Sequence, residues 1–214
     1  MPFTFGFQET VPFSKPFIPT VGKFGKNWIT LISASKAFSF PGPRCAISVI
    51  SPHINEKKYS NLKDFCDREQ FGHAFSLGGL YVTTSGTSHT AQYALAKMLD
   101  AATNNNFNFI EITSEYGRRA EKVKEIFLKY GFEQVYKKDM DEPVGNGFYL
   151  TMSYPKYDGN DLMLELLRYG ISTITLKSTG SVRHEGLRVC ISFIGLEKIP
   201  LLEDKLRKFM EDHK

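Results

Sequence analysis

The chain has 214 residues, of which 42% are hydrophobic and 23% are charged. These fractions are close to those of globular proteins and exclude a disordered chain, a collagen-like repeat and a disulfide scaffold. The 27 basic and 23 acidic side chains leave a formal charge of +4, too small and dispersed to indicate a nucleic-acid partner. No apolar run has the roughly 20 residues of a membrane helix. Three widely spaced cysteines, Cys45, Cys66 and Cys190, indicate reduced thiols in a cytoplasmic protein.

The first half of the chain predicts an irregular start followed by two short strands. Residues 1–27 are rich in phenylalanine and proline, which favours an irregular segment. The apolar, β-rich runs 28–33 and 45–50 each have the pattern of a buried strand. Residues 34–44 close on Pro41-Gly42-Pro43, which excludes a helix or a central strand and predicts a tight connection.

Helical and strand patterns then alternate to the end of the chain. Ser88 and Ser114 are candidate N-caps of two helices, and Gly131 is suited to end the second in the left-handed conformation. The predicted helices are 62–68, 90–102, 114–130, 161–169 and 200–210, and the predicted strands are 148–153, 171–176 and 187–193. The order from 114 onward predicts a compact α+β layer, and the Asn-rich break before it places a domain boundary near 105–115.

One stretch carries recognisable chemistry. Residues 33–44 place one lysine, three serine hydroxyls and one arginine directly after a predicted strand. Lys36 is flanked by apolar residues and would be partly desolvated, which favours the uncharged amine that forms a Schiff base. Hydroxyls and a guanidinium suit a phosphate. An amine beside groups that bind a phosphate is typical of a pyridoxal phosphate site. The alternative is an ordinary surface turn.

The same stretch resembles the lysine segment of class I/II aminotransferases, which are fold-type I pyridoxal phosphate enzymes. The matching residues are Ser33, Ala34, Ser35, Lys36, Gly42 and Arg44. Cys45 departs from the family, which prefers an aliphatic residue there. Segments 85–102, 145–150 and 187–192 resemble three further segments of the family, so the resemblance extends over nearly the whole chain.

The resemblance implies an α/β fold, with part of the fold-type I large domain in residues 1–110 and an α+β small domain in 111–214. It implies pyridoxal 5′-phosphate as cofactor and amino transfer between an L-amino acid and a 2-oxo acid in a homodimer. It further implies no nucleic-acid, membrane or metal partner. A lyase or decarboxylase on the same fold is the alternative chemistry.

Five residues receive roles from this resemblance. Lys36 would hold the cofactor and then move the proton at the substrate Cα. Ser33, Ser35 and Arg44 would bind the cofactor phosphate. Arg188 would pair with the substrate carboxylate in the two-pronged geometry of a guanidinium.

The resemblance also implies groups that the chain does not contain. Members of the family carry, well before the lysine, an aspartate that pairs with the pyridinium nitrogen and an aromatic residue that stacks on the ring. No aspartate precedes Lys36, and Phe3 stands near a position where the family often has tyrosine. We therefore expect the C-terminal half of an aminotransferase. A fragment that works with a separate N-terminal half and a non-catalytic remnant are the alternatives.

The other polar residues carry weaker expectations. Arg183 is expected to be solvated, with a role in side-chain selectivity as the alternative. Arg118 and Arg119 are expected on a solvated helix face. His89 could approach a phosphate. Cys45 and Cys190 are expected to be buried in strands.

Overall fold

The computed structural model describes residues 21–139, 141–145 and 147–213. The chain divides between Phe109 and Ile110 into two compact units, here called the N-terminal unit and the C-terminal unit. Most of the predicted irregular start, with Phe3, lies outside the described residues. The assignment of 1–110 and 111–214 to the large and small domains of the family stays a prediction. None of the helices formed by the described residues combines the length and apolar character needed to cross a bilayer.

The N-terminal unit begins with a two-stranded antiparallel ribbon. Strands β1 (Ile29–Ser33) and β2 (Ala46–Ile50) confirm the two predicted strands, each starting one residue later than predicted. The prediction that these strands are buried was wrong, because no residue of either strand is buried. Their register pairs Ile29 with Ile50 at one end and Ser33 with Ala46 at the other. A one-turn helix, α1 (Ala34–Ala37), follows β1 directly, so the lysine segment lies at one end of this ribbon.

The rest of the N-terminal unit is helical. Its helices are α2 (Pro52–Glu56), α3 (Lys63–Cys66), the continuous run of α4 (Phe71–His73), a π-helix (Ala74–Tyr81) and α5 (Val82–Thr84), and α6 (His89–Thr103). Helix α6 confirms the predicted helix 90–102. Ser88 occupies its N-cap position, but its side chain makes no capping hydrogen bond, so that part of the prediction was wrong.

The core of the N-terminal unit is small. Its buried members are Ala34, Cys45, Ala91 and Leu95, with Phe38, Phe40 and Ile47 packed against them. Meanwhile Leu31 of β1 is 69% exposed and Phe65 of α3 is 83% exposed. A two-stranded ribbon has little stability of its own, so this unit depends on few apolar contacts.

The C-terminal unit is one antiparallel sheet covered by helices. The sheet has the order β3 (Glu133–Gln134), β6 (Tyr149–Ser153), β8 (Leu187–Cys190), β7 (Ile174–Thr175). Strands β4 (Lys138–Asp139) and β5 (Glu142–Pro143) form a separate ribbon. The helices are α7 (Phe109–Lys129), α8 (Gly159–Arg168) and α9 (Ile199–Asp212). This arrangement confirms the predicted α+β layer.

Alternation along the strands gives this sheet one covered face and one open face. Leu150 and Met152 of β6, and Leu187 and Val189 of β8, are buried in the core with α7, α8 and α9. The residues between them point the other way, because successive side chains of a strand alternate. The open face therefore carries the alternate residues of β6 and β8: Tyr149, Thr151, Arg188 and Cys190.

One predicted boundary of helix α7 differs from the structure and the other agrees with it. Ser114 lies inside α7, which begins at Phe109, and its hydroxyl donates to the carbonyl of Glu111 at 2.7 Å. It is therefore not the predicted cap. Gly131 does follow α7 with φ of 86°, the left-handed conformation that glycine adopts without steric cost.

A hydrogen bond from the Tyr169 side chain joins the end of α8 to the end of α9, and the titration of the Tyr169 hydroxyl makes stability depend on pH. The Tyr169 hydroxyl donates to Asp212 Oδ2 at 2.7 Å, and chiefly this hydrogen bond raises the pKa of Tyr169 to about 12, above the value of about 10 in an unfolded chain. A raised folded pKa stabilises the fold below pH 10, and this contribution is lost as pH rises from about 10 to 12. We expect the free energy of unfolding to fall over this range in the natural chain and to fall less in Tyr169→Phe. Equal slopes in urea titrations of the two proteins would contradict this.

Candidate functional site

The lysine segment is held in place by the end of the β1–β2 ribbon. Ser33 is the N-cap of α1, and its Oγ accepts a hydrogen bond from the Ser35 amide at 3.3 Å. The Ala34 amide donates to the Cys45 carbonyl at 3.1 Å. Since Ser33 also pairs with Ala46, the backbone that carries the lysine runs beside the residues just before β2.

Arg44 stands at that junction in an uncommon backbone conformation. Its φ is 55°, a left-handed value that costs energy for any residue with a Cβ and that is enriched at ligand sites. One guanidinium nitrogen, Nη1, donates to the Pro41 carbonyl at 3.0 Å. A guanidinium has five N–H donors, so this bond fixes the side chain and leaves donors for an anion.

Lys36 does not have the environment that was expected. Ala34 is buried and Phe38 packs against the small core, yet Lys36 itself is exposed. The expected desolvation by flanking apolar residues was wrong, because Ala34 and Phe38 pack into the core while Lys36 is exposed.

The residues at the ribbon end fit part of pyridoxal phosphate. Ser33, Ser35 and Arg44 offer hydroxyls and a guanidinium to a phosphate, and Lys36 offers an accessible amine to an aldehyde. Residues 33–44 contain no aspartate or glutamate that could pair with the pyridine nitrogen. The donor set therefore fits the phosphate and aldehyde ends of the cofactor.

Arg188 lies in the middle of the sheet of the C-terminal unit. It is on the interior strand β8, opposite Thr151 of β6 on one side and Ile174 of β7 on the other. Its guanidinium carbon lies 4.5 Å from the ring centroid of Tyr149. Its Nε is buried and has no hydrogen-bond partner among the described residues. A buried N–H without a partner costs free energy, and a carboxylate on the open face would satisfy it.

Arg183 has a charged partner in its own loop. Its Nε donates to Glu185 Oε1 at 2.7 Å, and its side chain is 49% exposed. Backbone hydrogen bonding and this contact lower the pKa of Glu185. The loop position agrees with the expected solvated residue, and a role in selectivity stays a prediction.

Two expectations about buried and exposed residues were wrong. The Arg119 side chain is only 19% exposed, forms an ion pair with Glu115 and donates from Nη1 to the Ser192 carbonyl at 3.3 Å. It ties α7 to the loop after β8 rather than facing solvent. Cys190 is exposed on the open face, whereas Cys45 is buried as expected. A role for His89 stays a prediction.

The predicted site residues fall into two groups. Ser33, Ser35, Lys36 and Arg44 lie together in the N-terminal unit, whereas Arg188 lies in the C-terminal unit. Within the described part of the chain, no three His, Cys, Asp or Glu residues are grouped to hold a metal ion. The sequence did not single out Tyr149 as a partner of Arg188, since the contact depends on strand register.

Comparison with known proteins supports the fold. No protein-family model matches the chain, and no curated protein sequence matches it. Solved structures do match. The aromatic aminotransferase of Pyrococcus horikoshii has 16% identity and a TM-score of 0.63, over 86% of this chain and 43% of that one. The α-aminoadipate aminotransferase of Thermus thermophilus, complexed with a phosphopyridoxyl-leucine, has 16% identity and a TM-score of 0.61, over 86% and 42%.

A mutant of the aspartate aminotransferase of Thermus thermophilus has 19% identity and a TM-score of 0.57, again over 86% of this chain and 42% of that one. At these identities the likeness shows the fold. The predicted aminotransferase fold is confirmed, and the chain spans less than half the length of the structures that it matches.

Proposed function

We propose that the chain is part of a pyridoxal phosphate-dependent aminotransferase, which moves an amino group between an L-amino acid and a 2-oxo acid. The observation that carries this proposal is the lysine segment. Its lysine, hydroxyls and arginine lie within one segment that connects the two strands of a ribbon, in a chain with an aminotransferase fold.

Lys36 has two tasks under this proposal. Its amine would hold the cofactor at the aldehyde carbon, and the same amine would move the proton at the substrate Cα. The bound cofactor supplies an electron sink for that proton transfer. Lys36 lies on α1, which follows β1 directly and is capped by Ser33. This placement fixes the backbone from which the amine extends.

The phosphate is held by groups that flank the lysine. The Ser33 and Ser35 hydroxyls and the Arg44 guanidinium are the donors, and a doubly charged phosphate accepts such bonds strongly. Ser33 also caps α1. A phosphate bound by Ser33 is therefore held next to the backbone that carries Lys36.

Arg188 binds the substrate carboxylate. Its Nε has no hydrogen-bond partner among the residues that the structure describes. Its planar guanidinium allows two parallel hydrogen bonds to one carboxylate, a geometry that lysine does not offer.

The lysine segment does not supply every group that the cofactor needs. The pyridine nitrogen requires an acid to stay protonated as an electron sink, and residues 33–44 contain no aspartate or glutamate. We propose that an acid outside this segment pairs with the nitrogen. A lyase or decarboxylase on the same fold, and a chain that binds without turnover, are the rival functions.

Cofactor attachment tests the proposal directly. We expect added pyridoxal phosphate to give a new absorbance band and, after borohydride reduction, a pyridoxyl group on the peptide that contains Lys36. Lys36→Ala should abolish both signals. Lys97→Ala is the matched control in the same unit, because Lys97 is 83% exposed and contacts Asp100, and it should leave both unchanged.

The outcomes separate the rivals. A band without amino transfer to 2-oxoglutarate would favour a lyase or decarboxylase. If Lys36→Ala and the natural chain label equally, the proposed role of Lys36 is wrong and the non-catalytic function is favoured.

A further inference from the structure

The guanidinium of Arg188 lies over the ring of Tyr149 on the open face of the sheet of the C-terminal unit. The register places Tyr149 opposite Cys190 and Thr151 opposite Arg188. Tyr149 is therefore the diagonal neighbour of Arg188, at a distance that aromatic and long side chains can bridge. The guanidinium carbon lies 4.5 Å from the ring centroid, well within the range of a cation–π contact.

Arg188 differs from the other arginine whose Nε is buried without a partner. Arg119 also lies near a ring, that of Tyr116, but Glu115 and the Ser192 carbonyl take two of its nitrogens. Arg188 has neither an ion pair nor a hydrogen bond within the described part of the chain. The ring is thus the contact that fixes its guanidinium there.

This difference has a chemical consequence. A ring binds a cation through its negative face, whereas the N–H donors of a guanidinium lie in the plane of the group. A cation–π contact over the ring therefore holds the Arg188 guanidinium without an acidic partner on its donors. An acidic neighbour would fix the side chain equally well, but it would occupy the donor edge that a carboxylate ligand needs.

We propose that Tyr149 is a positioning residue for Arg188, whose ring presents the donor edge of the guanidinium to the carboxylate of an amino or oxo acid. The inference rests on the proposed function of Arg188 and names the residue that orients its guanidinium. The Tyr149 ring, rather than its hydroxyl, carries this task, because the contact is with the ring face.

The test uses the full chain with nitrogen-15-labelled arginine and pyruvate, the smallest 2-oxo acid, as the probe. Arg188→Lys identifies the Arg188 Nε–H signal by its loss. The signal should be shifted by the ring current of Tyr149 in the natural chain and in Tyr149→Phe, and it should lose that shift in Tyr149→Leu. Tyr136→Leu is the matched control, since Tyr136 and Tyr149 are both 38% exposed.

Pyruvate titration then measures the consequence for binding. Removing a cation–π contact of this kind raises the dissociation constant roughly two- to fivefold. We expect that loss in Tyr149→Leu and no change in Tyr149→Phe or Tyr136→Leu. A merely structural role of Tyr149 would not connect the ring-current shift with carboxylate affinity.

Two results would overturn the inference. One is equal pyruvate affinity of Tyr149→Leu and the natural chain. The other is an Arg188 signal that pyruvate does not move in the natural chain. Failure here is distinct from failure of the proposed function, because cofactor attachment is measured at Lys36 in the other unit.

Discussion

Replacing Arg188 with lysine is expected to weaken the binding of pyruvate by about tenfold to a hundredfold. A hydrogen bond between charged groups contributes about 1.5–3 kcal/mol, and lysine loses one of the two parallel bonds that a guanidinium makes with a carboxylate. Lysine also lacks the planar group that lies over the Tyr149 ring at 4.5 Å. The measurement is the dissociation constant from chemical-shift titration of the full chain.

Arg183→Lys is the matched control for this experiment. Arg183 lies in the same unit, five residues earlier, but it is half exposed and contacts Glu185. Its replacement should leave the dissociation constant within a factor of two or so, as expected for a surface substitution. If the two variants lose affinity equally, carboxylate binding does not depend on Arg188 and the proposed role is wrong.

Local patterns were enough for strands β1, β2 and β6 and for helices α6, α8 and α9. Strands β1 and β2 and helix α9 follow from apolar residues at strand or helix spacing, and their bounds agree within two residues. The helical run 71–84 was missed, because Gly78 and Gly79 suggest a break in a helix. The structure gives a reason for Gly78: a Cβ there would lie 2.7 Å from Cys66 Cβ.

Strand β7 shows how tertiary contacts override a local pattern. Residues 171–176 have a strand pattern, yet only Ile174 and Thr175 pair with β8. The Ile171 amide instead donates to the Leu166 carbonyl at 3.0 Å, where it completes the end of α8 after Gly170. Strand β7 is shorter than predicted because the Ile171 amide is used to end helix α8.

The candidate site was predictable where its residues are close in sequence. Ser33, Lys36 and Arg44 lie within one segment, so their chemistry is visible before any fold is known. The environment of Arg188 was not predictable, since its contact with Tyr149 depends on the register of two strands. The hydrogen bond between Arg119 and the Ser192 carbonyl likewise joins residues 73 positions apart. A contact at that separation cannot be predicted from the local sequence.

The second large effect is expected at Phe209, the centre of the aromatic core of the C-terminal unit. Phe209 is fully buried. Its ring centroid lies 4.4–6.3 Å from those of Phe132, Tyr154, Tyr157, Tyr169 and His213. Phe209→Ala removes the ring from all five contacts and leaves a cavity, which typically costs about 3–5 kcal/mol. We expect the free energy of unfolding of the C-terminal unit to fall by that amount.

Phe193→Ala is the control of the same residue type, because Phe193 is 89% exposed and its loss should change stability by less than about 0.5 kcal/mol. Native-state hydrogen exchange is the suitable measurement, since it reports each unit separately. The amides of Leu166 and Leu206, both fully buried, should lose protection in Phe209→Ala and keep it in Phe193→Ala. Unchanged protection in Phe209→Ala would mean that helix α9 does not hold this core together, and that the stability of the C-terminal unit depends on α7 and α8.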